Sequence, residues 1–371
     1  MIAQNIIDFL ETWAPPGIAW DKDNVGLQVG STREKVKNIF LCLELNEKAL
    51  DESIKKNCNF IFTHHPFLFK PLKRINTFSD PKSKIIEKLI KHNITLFSAH
   101  TNLDFTKDGV SFELAKVLKL QNINFLVNEK SNQFKLVVFV PQKNVNDLAN
   151  ALYAEGAGII GEYENCSFNV NGIGTFKGSE KSNPNVGKKQ FFEKVEEVRL
   201  EVLVDSWKLR NVICALKKVH PYEEPAFDIY ELKNENVNYG FGAIGSLNNS
   251  MTKNEFLDHV CKSLKTNNLR FANNGNKKVK RVAVCGGSGS DLMQAAIEHK
   301  ADAFVTADVK YDSFQDGEDK ILYIDAGHYE TEIHSLNAVK RKLEKYISEN
   351  DRSVKIYKYT GSTNPVKHFI K

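Results

Sequence analysis

No Cys-x-x-Cys pair occurs among the six cysteines, Cys42, Cys58, Cys166, Cys214, Cys261 and Cys285, which are scattered through apolar segments. That pattern excludes a zinc finger and fits reduced thiols in a cytoplasmic protein. No apolar run is long enough to span a bilayer, so no membrane partner is expected. The N-terminus lacks the basic start and unbroken apolar core of a secretory leader, because its first helix candidate carries Asp8 and Glu11. Charge of one sign is also missing: 51 basic residues against 46 acidic leave a net +5, too even a balance to support nucleic acid or an anionic surface as partner. Low-complexity tracts do not stand out.

What is present belongs to a soluble globular protein, 42% hydrophobic and 26% charged. At 371 residues the chain exceeds the span of one core, which favours two or three domains. In the first hundred or so residues short apolar runs alternate with helix-like stretches, as in a mainly parallel sheet of an α/β layer fold. Strands are expected at Asn38 to Leu43, Asn59 to Phe62 and Ile94 to Phe97, with helices over Lys48 to Lys56 and Lys82 to Lys91. The same grammar returns after Gly240, with strands at Arg281 to Cys285, Ala303 to Val305 and Ile321 to Ile324.

Between them the order changes. A strand from Phe134 to Val140, a helix from Val145 to Glu155, two short strands within Ser167 to Phe176, a strand from Arg199 to Val204, a helix from Trp207 to Val219 and a strand from Ala226 to Leu232 read as a ferredoxin-like α+β domain. Its loop Gly178 to Lys189, rich in Gly, Ser, Asn and Lys, is expected to be exposed and mobile. The fold expected is therefore α/β: a discontinuous, mainly parallel-sheet domain over 1–125 and 238–371, with a ferredoxin-like domain inserted over 126–237.

Polar groups gather where the apolar strands stop, the edge that hosts sites in open α/β sheets. Phe62 is followed by Thr63-His64-His65-Pro66, Phe97 by Ser98 through Asp104, Val305 by Thr306-Ala307-Asp308, Ile324 by Asp325-Ala326-Gly327-His328, and Cys285 by Gly286-Gly287-Ser288-Gly289-Ser290. Adjacent residues of an extended chain project to opposite sides, so His64 and His65 could each face one of two neighbouring ions. The pair reads equally as hydrogen-bonded histidines at a strand terminus. His328 and Glu332, four apart at the start of a helix whose apolar positions run Ile333, Leu336, Val339, Leu343 and Ile347, share a face and could reach one ion. His334 turns to another side and is read as structural or surface.

Asp104 could bridge two cations with its two oxygens, or cap the following helix. His100 could orient a ligand, and Asp108-Gly109 reads as turn chemistry. The glycine-rich turn Gly286 to Ser290 could hold an anion on its backbone N–H groups, or be a plain tight turn. It lacks the Lys and Thr of a P-loop and does not complete a dinucleotide fingerprint. No Gly-x-Ser-x-Gly elbow appears, which sets a serine hydrolase aside.

Taken together, Asp23 to Gly30, Thr63 to Pro66, Ala99 to Asp104, Gly286 to Gly289 and Asp325 to Glu332 resemble, in order, the motifs of the YbgI/YqfO family of dinuclear-metal proteins. Its eukaryotic relatives are called NIF-three-like (NGG-one-interacting factor three), and members are often labelled GTP cyclohydrolase I type 2 homologues. The resemblance implies two divalent ions per subunit, zinc, iron or manganese, with His64, His65, Asp104, His328 and Glu332 as ligands. It implies a ring-shaped homohexamer with the metals facing an internal cavity. The middle segment, with His220 to Pro225, looks like the inserted CutA/PII-like domain of the longer members, and His220 there is read as part of a rigid turn.

The sequence departs from the family pattern at two places. Thr306 to Asp312 has Ala where relatives usually have Gly after the Thr, and Asp312 where they have His. Glu44 stands where an Asp is more usual.

Paired ions with open positions activate water near neutral pH. The function expected is thus metal-dependent hydrolysis of a phosphoester, a nucleotide or a cyclic amide. The alternative is a non-enzymatic, metal-dependent regulatory or protein-interaction ring.

Overall fold

The computed structural model describes residues 1–130, 132–273, 275 and 278–367. The chain divides into two compact units, one formed by 1–127 with 239–371 and the other by 128–238.

The first unit contains two sheets. One runs Gly26–Val29, Thr95–Ser98, Phe60–Thr63, Asn38–Cys42, Lys355–Lys358 across its width, antiparallel only at the Gly26–Val29 edge. Its strands read as continuous apolar runs because both faces are covered. Ile39, Leu41, Phe60, Phe62 and Phe97 enter a core with the helices Ala3–Trp13 and Ser335–Asn350. Their neighbours Phe40, Cys42, Ile61 and Leu96 enter another with the helices Glu47–Lys55 and Pro81–Lys91. The period-two alternation of a strand thus feeds two cores at once. Both helices start on side-chain caps, Asn46 accepting from the Ala49 N–H and Asp80 from the Ser83 N–H.

The other sheet runs Arg270–Ala272, Leu322–Asp325, Ala303–Ala307, Val279–Ser288, Asn236–Met251, Gln121–Glu129. Its three central strands are parallel. Here too alternate residues part: Val282, Val284, Ala303, Val305, Leu322 and Ile324 face one core, Ala283, Phe304 and Tyr323 the other. The helix Val110–Val117 packs against Val279–Ser288 and against Ser335–Asn350. Across that helix pair Arg341 donates twice to buried Glu113, at 3.0 and 2.6 Å. Such a bidentate fork fixes orientation as well as distance.

The structure corrects two expectations here. The helix expected to run unbroken from His328 is two helices, His328–Glu332 and Ser335–Asn350, separated by a turn at Ile333 and His334. The short first piece presents the polar side chains, and the apolar stripe belongs to the second. The glycine turn expected after Cys285 begins later, because the strand Val279–Ser288 continues through Gly286 and Gly287. Gly287 sits at a positive φ of 64° where the pairing register with Ala303–Ala307 shifts, so its glycine makes a bulge inside the strand. The α-helix that follows, Met293–Glu298, has six residues.

The second unit is one antiparallel sheet, ordered Ser167–Lys177, Phe192–Asp205, Gln133–Pro141, Phe227–Glu231, with helices Val145–Ala154 and Leu209–Val219. One face packs Leu136, Val138, Val140, Val198, Leu200 and Val202 against Leu148, Leu152, Val212 and Leu216. Ser167–Lys177 is a single strand rather than two, because Gly172 and Gly174 keep their register opposite Glu197 and Val195. Its partner begins at Phe192, seven residues before the expected Arg199. Most of the loop Gly178 to Lys189 is exposed or half-buried. All six cysteines are free. Among the described residues no helix is long and apolar enough to cross a membrane.

Candidate metal centre

In the first unit the C-terminal ends of parallel strands from both sheets converge. Phe60–Thr63 delivers His64 and His65, Thr95–Ser98 leads to His100 and Asp104, Ala303–Ala307 to Asp308, and Leu322–Asp325 to His328 and Glu332. All five residues expected as ligands come together there. His328 Nε2 lies 3.0 Å from Glu332 Oε1, and His65 Nε2 lies 3.0 Å from Oε2 of the same carboxylate. His64 Nε2 is 3.8 Å from Glu332 Oε1 and 3.6 Å from Asp104 Oδ1. The carboxylate among the three imidazoles is therefore that of Glu332, while Asp104 stands beside His64. Asp104 closes the helix Thr101–Asp104 and does not cap the next one, whose cap position is Gly109.

The expectation that His64 and His65 project to opposite sides fails. The strand has ended, and both backbone N–H groups donate to the single carbonyl of Leu43, each at 3.0 Å. The chain bends, and the two rings lie 4.9 Å apart. The His65 and His328 rings lie 5.3 Å apart, with their Nε2 atoms 3.4 Å from one another.

Each of these rings is held by its far nitrogen. His64 Nδ1 meets the carbonyl of Ala99 at 2.9 Å, His65 Nδ1 meets Glu44 Oε1 at 2.9 Å, and His328 Nδ1 meets Asp308 Oδ2 at 2.7 Å. An imidazole that donates through Nδ1 to an oxygen presents a bare Nε2 lone pair on its other side, the arrangement in which metal-binding histidines are typically found. Asp308 is itself fixed: its backbone adopts φ 55°, and Oδ2 also accepts from Ser288 Oγ at 2.6 Å. His100 was expected to orient a ligand, yet it is the ring that is oriented. Its Nδ1 is 2.9 and 3.0 Å from the two oxygens of buried Asp23, which also accepts from the Thr101 N–H and hydroxyl. His64, His65 and His100 offer donor atoms within 4.8 Å of one another, as do His65, His328 and Glu332.

Electrostatics give the site its character. Burial works against charge on His65, but the Glu332 and Glu44 carboxylates beside it push its pKa up to about 10. Burial likewise opposes charge on His328, and Glu332 with Asp308 carries it to about 9. On His64 burial is outweighed by the Asp104 and Glu332 carboxylates, which raise it. Burial would lift Glu332, yet the His328, His64 and His65 imidazoles around it hold it well below the usual carboxylate range. Asp104 is raised, chiefly by burial. These are the signs of a negative, desolvated pocket that attracts a cation.

Three atoms decide whether a metal fits: His64 Nε2, Asp104 Oδ1 and Glu332 Oε2 are buried and make no hydrogen bond. Buried polar atoms are almost always paired, at a cost of about 1–3 kcal/mol when they are not. Here the three cluster with imidazole and carboxylate donors that suit first-row divalent ions. The backbone also leaves them room, since a Cβ on Gly287 would lie 2.2 Å from Glu332 Oε1. The donor set fits a divalent metal.

The model of the Duf34/NIF3 (NGG1p interacting factor 3) family matches residues 1–365. The chain belongs to the Duf34/NIF3 family. Among its relatives in this family is the GTP cyclohydrolase 1 type 2 homolog of Halalkalibacterium halodurans, 38% identical over 367 residues, covering 98% of this chain and 97% of the relative. The crystal structure of a Bacillus cereus protein related to NIF3 superposes with a TM-score of 0.85 at 35% identity, over 100% of this chain and 99% of that one. A structure of the protein ybgI shares the fold, with a TM-score of 0.58 at 16% identity, over 99% of this chain and 100% of that one.

Two other histidines, His220 and His334, lie outside the donor groups. His220 spends both ring nitrogens on backbone, Nε2 at 2.9 Å from the Phe139 carbonyl and Nδ1 accepting from the Tyr222 N–H at 3.1 Å. His334 follows Glu332 by two positions and lies outside the donor groups, its pKa lowered by burial and by Lys358. A cleft of about 840 Å³ opens in the second unit, lined by Phe139, Ile173, Phe176, Arg199 and Tyr222 among others. Its lining carries none of the five expected ligands. Sequence reasoning gave no role to Asp23 or Asp308, and gave Gly287 only a share in a turn that could hold an anion. Their signal was weak: each lay in a quoted motif, but its partner was distant in the chain.

Proposed function

We propose that this Duf34/NIF3 chain holds two divalent ions per subunit, zinc, iron or manganese, on His64, His65, Asp104, His328 and Glu332. It acts as a metal-dependent hydrolase on a phosphoester, a nucleotide or a cyclic amide. The observation that carries the reading is the set of three buried donor atoms without a hydrogen-bond partner, His64 Nε2, Asp104 Oδ1 and Glu332 Oε2, where the strand ends converge. The ions, when bound, supply Lewis acidity and lower the pKa of water toward neutrality. The chain's own residues bind and orient: Glu332 stands among all three histidines, Asp104 reaches His64, and Glu44, Asp308 and the Ala99 carbonyl fix the three rings. His100, locked by Asp23, lies on the same rim, its ring 5.3 Å from those of His64 and His65, where it would meet a substrate.

The working assembly proposed is a homohexamer, with the 128–238 segment as an inserted ferredoxin-like, CutA/PII-like domain. Light scattering tests the hexamer directly. For the activity, protein purified without added metal is counted for ions and then given a panel of phosphoesters, cyclic amides and nucleotides. GTP belongs in the panel because of the relatives' printed name. Turnover that stops on chelation and returns with metal is the expected result. Two bound ions with no turnover across the panel would overturn the hydrolase and leave a metal-dependent regulatory ring.

A further inference from the structure

Glu44 has two oxygens and two different partners. Oε1 faces His65 Nδ1 at 2.9 Å, and Oε2 accepts from the hydroxyl of Thr363, which is 319 residues away in sequence. The next residue, Asn364, donates through Nδ2 to Glu330 Oε1 at 2.9 Å. Glu330 lies in the helix His328–Glu332. One short stretch of chain therefore touches both arms of the site: the arm that carries His65, through Glu44, and the arm that carries His328 and Glu332, through Glu330.

This stretch is anchored immediately before it reaches the site. The strand Lys355–Lys358 is the edge of the first sheet and pairs in parallel with Asn38–Cys42. The Tyr359 N–H continues the ladder to the Leu41 carbonyl at 2.9 Å, and Thr360 Oγ1 donates to Glu52 Oε2 at 3.0 Å. Because Asn38–Cys42 leads directly to Leu43 and Glu44, the edge strand and the Glu44 segment leave the sheet side by side. The register of that pairing brings Thr363 to the carboxylate. A Glu at 44 has the reach to meet the imidazole with one oxygen and the hydroxyl with the other.

We propose that Thr363 is a positioning residue of the metal centre. By holding Oε2 of Glu44 it fixes the rotamer in which Oε1 meets His65 Nδ1, and so aims His65 Nε2 at the site, while Asn364 secures the opposing helix. A carboxylate on an imidazole that is free to swing loses the orientation it confers, and such partners typically change metal affinity by about 10–100-fold. The inference rests on the proposed metal centre and adds to it a control from a distant part of the chain.

The test uses the full-length protein loaded with cobalt(II), whose visible absorption reports ligand geometry, together with ion counts and chelator competition. Thr363→Val removes the hydroxyl at nearly constant volume. It is expected to weaken one of the two ions by about tenfold and to alter the cobalt spectrum, with the other ion unchanged. Thr363→Ser should restore wild-type behaviour. Glu44→Gln with Thr363→Val should bind no more weakly than Glu44→Gln alone, because the hydroxyl acts through that carboxylate. Wild-type affinity and spectrum in Thr363→Val would overturn the proposal, as would full additivity in the double variant. His65→Ala separates the two levels: if it keeps both ions at full affinity, the metal centre itself is wrong. Should Thr363→Val fold poorly, Thr363→Ala, which also removes the hydroxyl, is measured in its place alone and with Glu44→Gln, and the same outcomes decide the proposal.

Discussion

The two units bury histidines in opposite ways. In the second, His220 is surrounded by backbone groups that satisfy both ring nitrogens, and burial lowers its pKa. In the first, His64, His65 and His328 are each held at Nδ1 by an oxygen, while Nε2 has no hydrogen-bond partner on His64 and faces the shared Glu332 carboxylate at 3.0 Å on His65 and His328, and carboxylates raise all three. A ring whose two nitrogens are both spent on backbone has no lone pair left to offer, whereas one whose Nε2 is open or faces a carboxylate can turn it to a cation. Burial alone does not mark a functional histidine. The useful distinction is what the second nitrogen faces.

The sharpest way to break this comparison is at Glu332. Its carboxylate touches His65 and His328 at 3.0 Å, so Glu332→Gln should reduce affinity for both ions, by more than the roughly 10–100-fold that loss of a ligand's supporting partner costs. Asp104→Asn, beside His64 alone, should weaken mainly one. Ion counts on the folded variants check both, and retention of two tight ions by Glu332→Gln would remove Glu332 from the centre of the site.

Gly287→Ala comes next in size. It forces a non-glycine residue to φ 64°, at about 1–2 kcal/mol, and places a Cβ against Glu332 Oε1. The variant should lose thermal stability and metal together, whereas Gly161→Ala, also at positive φ but with open space around its Cβ, should lose stability without metal. Equal metal loss in both would mean that the glycine serves the backbone and not the carboxylate.

Acidity should move the two units in opposite directions in the metal-free protein. His65 and His328 have folded pKa values raised to about 10 and about 9, so their contribution is complete below the unfolded value of about 6.5 and is lost as pH rises through 9 to 10. His220 is lowered, so the unfolded chain binds the extra proton, and its contribution is present above 6.5 and lost as pH falls below it. Hydrogen exchange resolved by segment should show protection of the site strands declining toward pH 10, while the second unit gains from pH 5 to 7. Metal should reverse the first trend, because protons compete with cations for the same lone pairs. A metal-free protein whose site strands grow more protected above pH 9 would contradict the charge assignment.

Much of this was legible in the chain itself. The strands around Phe40, Phe62, Phe97, Val305 and Ile324 were expected within a residue or two at most ends, since runs buried on both faces leave little ambiguity. Strand-end polarity and helix spacing made His64, His65, Asp104, His328 and Glu332 candidates, and the family resemblance implied them together as a ligand set. Three things escaped it. The bend at His64 depends on the Leu43 carbonyl at the end of the neighbouring strand, 21 residues earlier in the chain. The break at Ile333 and His334 interrupts an apolar stripe that has no gap. Asp308 takes a left-handed backbone that residue type alone does not announce. The first and last of these involve partners from other segments, and periodicity carries no such information.

The smallest expected effect on the metal comes from removing the second unit. Gln121–Glu129 and Asn236–Met251 are neighbouring strands of one sheet, so the ends created by excising 128–238 are already adjacent. A short turn should close them, as in an ordinary hairpin. The cores of the first unit are built from its own residues, with Leu126 and Ala243 on either side of the junction already inside them. Every residue proposed to hold or orient an ion, from Asp23 to Thr363, belongs to 1–127 or 239–371. The trimmed protein should therefore keep its ion count and chelator resistance near wild type, with any change appearing in assembly size by light scattering. A soluble, folded, trimmed protein without metal would show that the second unit completes the site, and would break the contrast between a unit that offers lone pairs and one that uses them up.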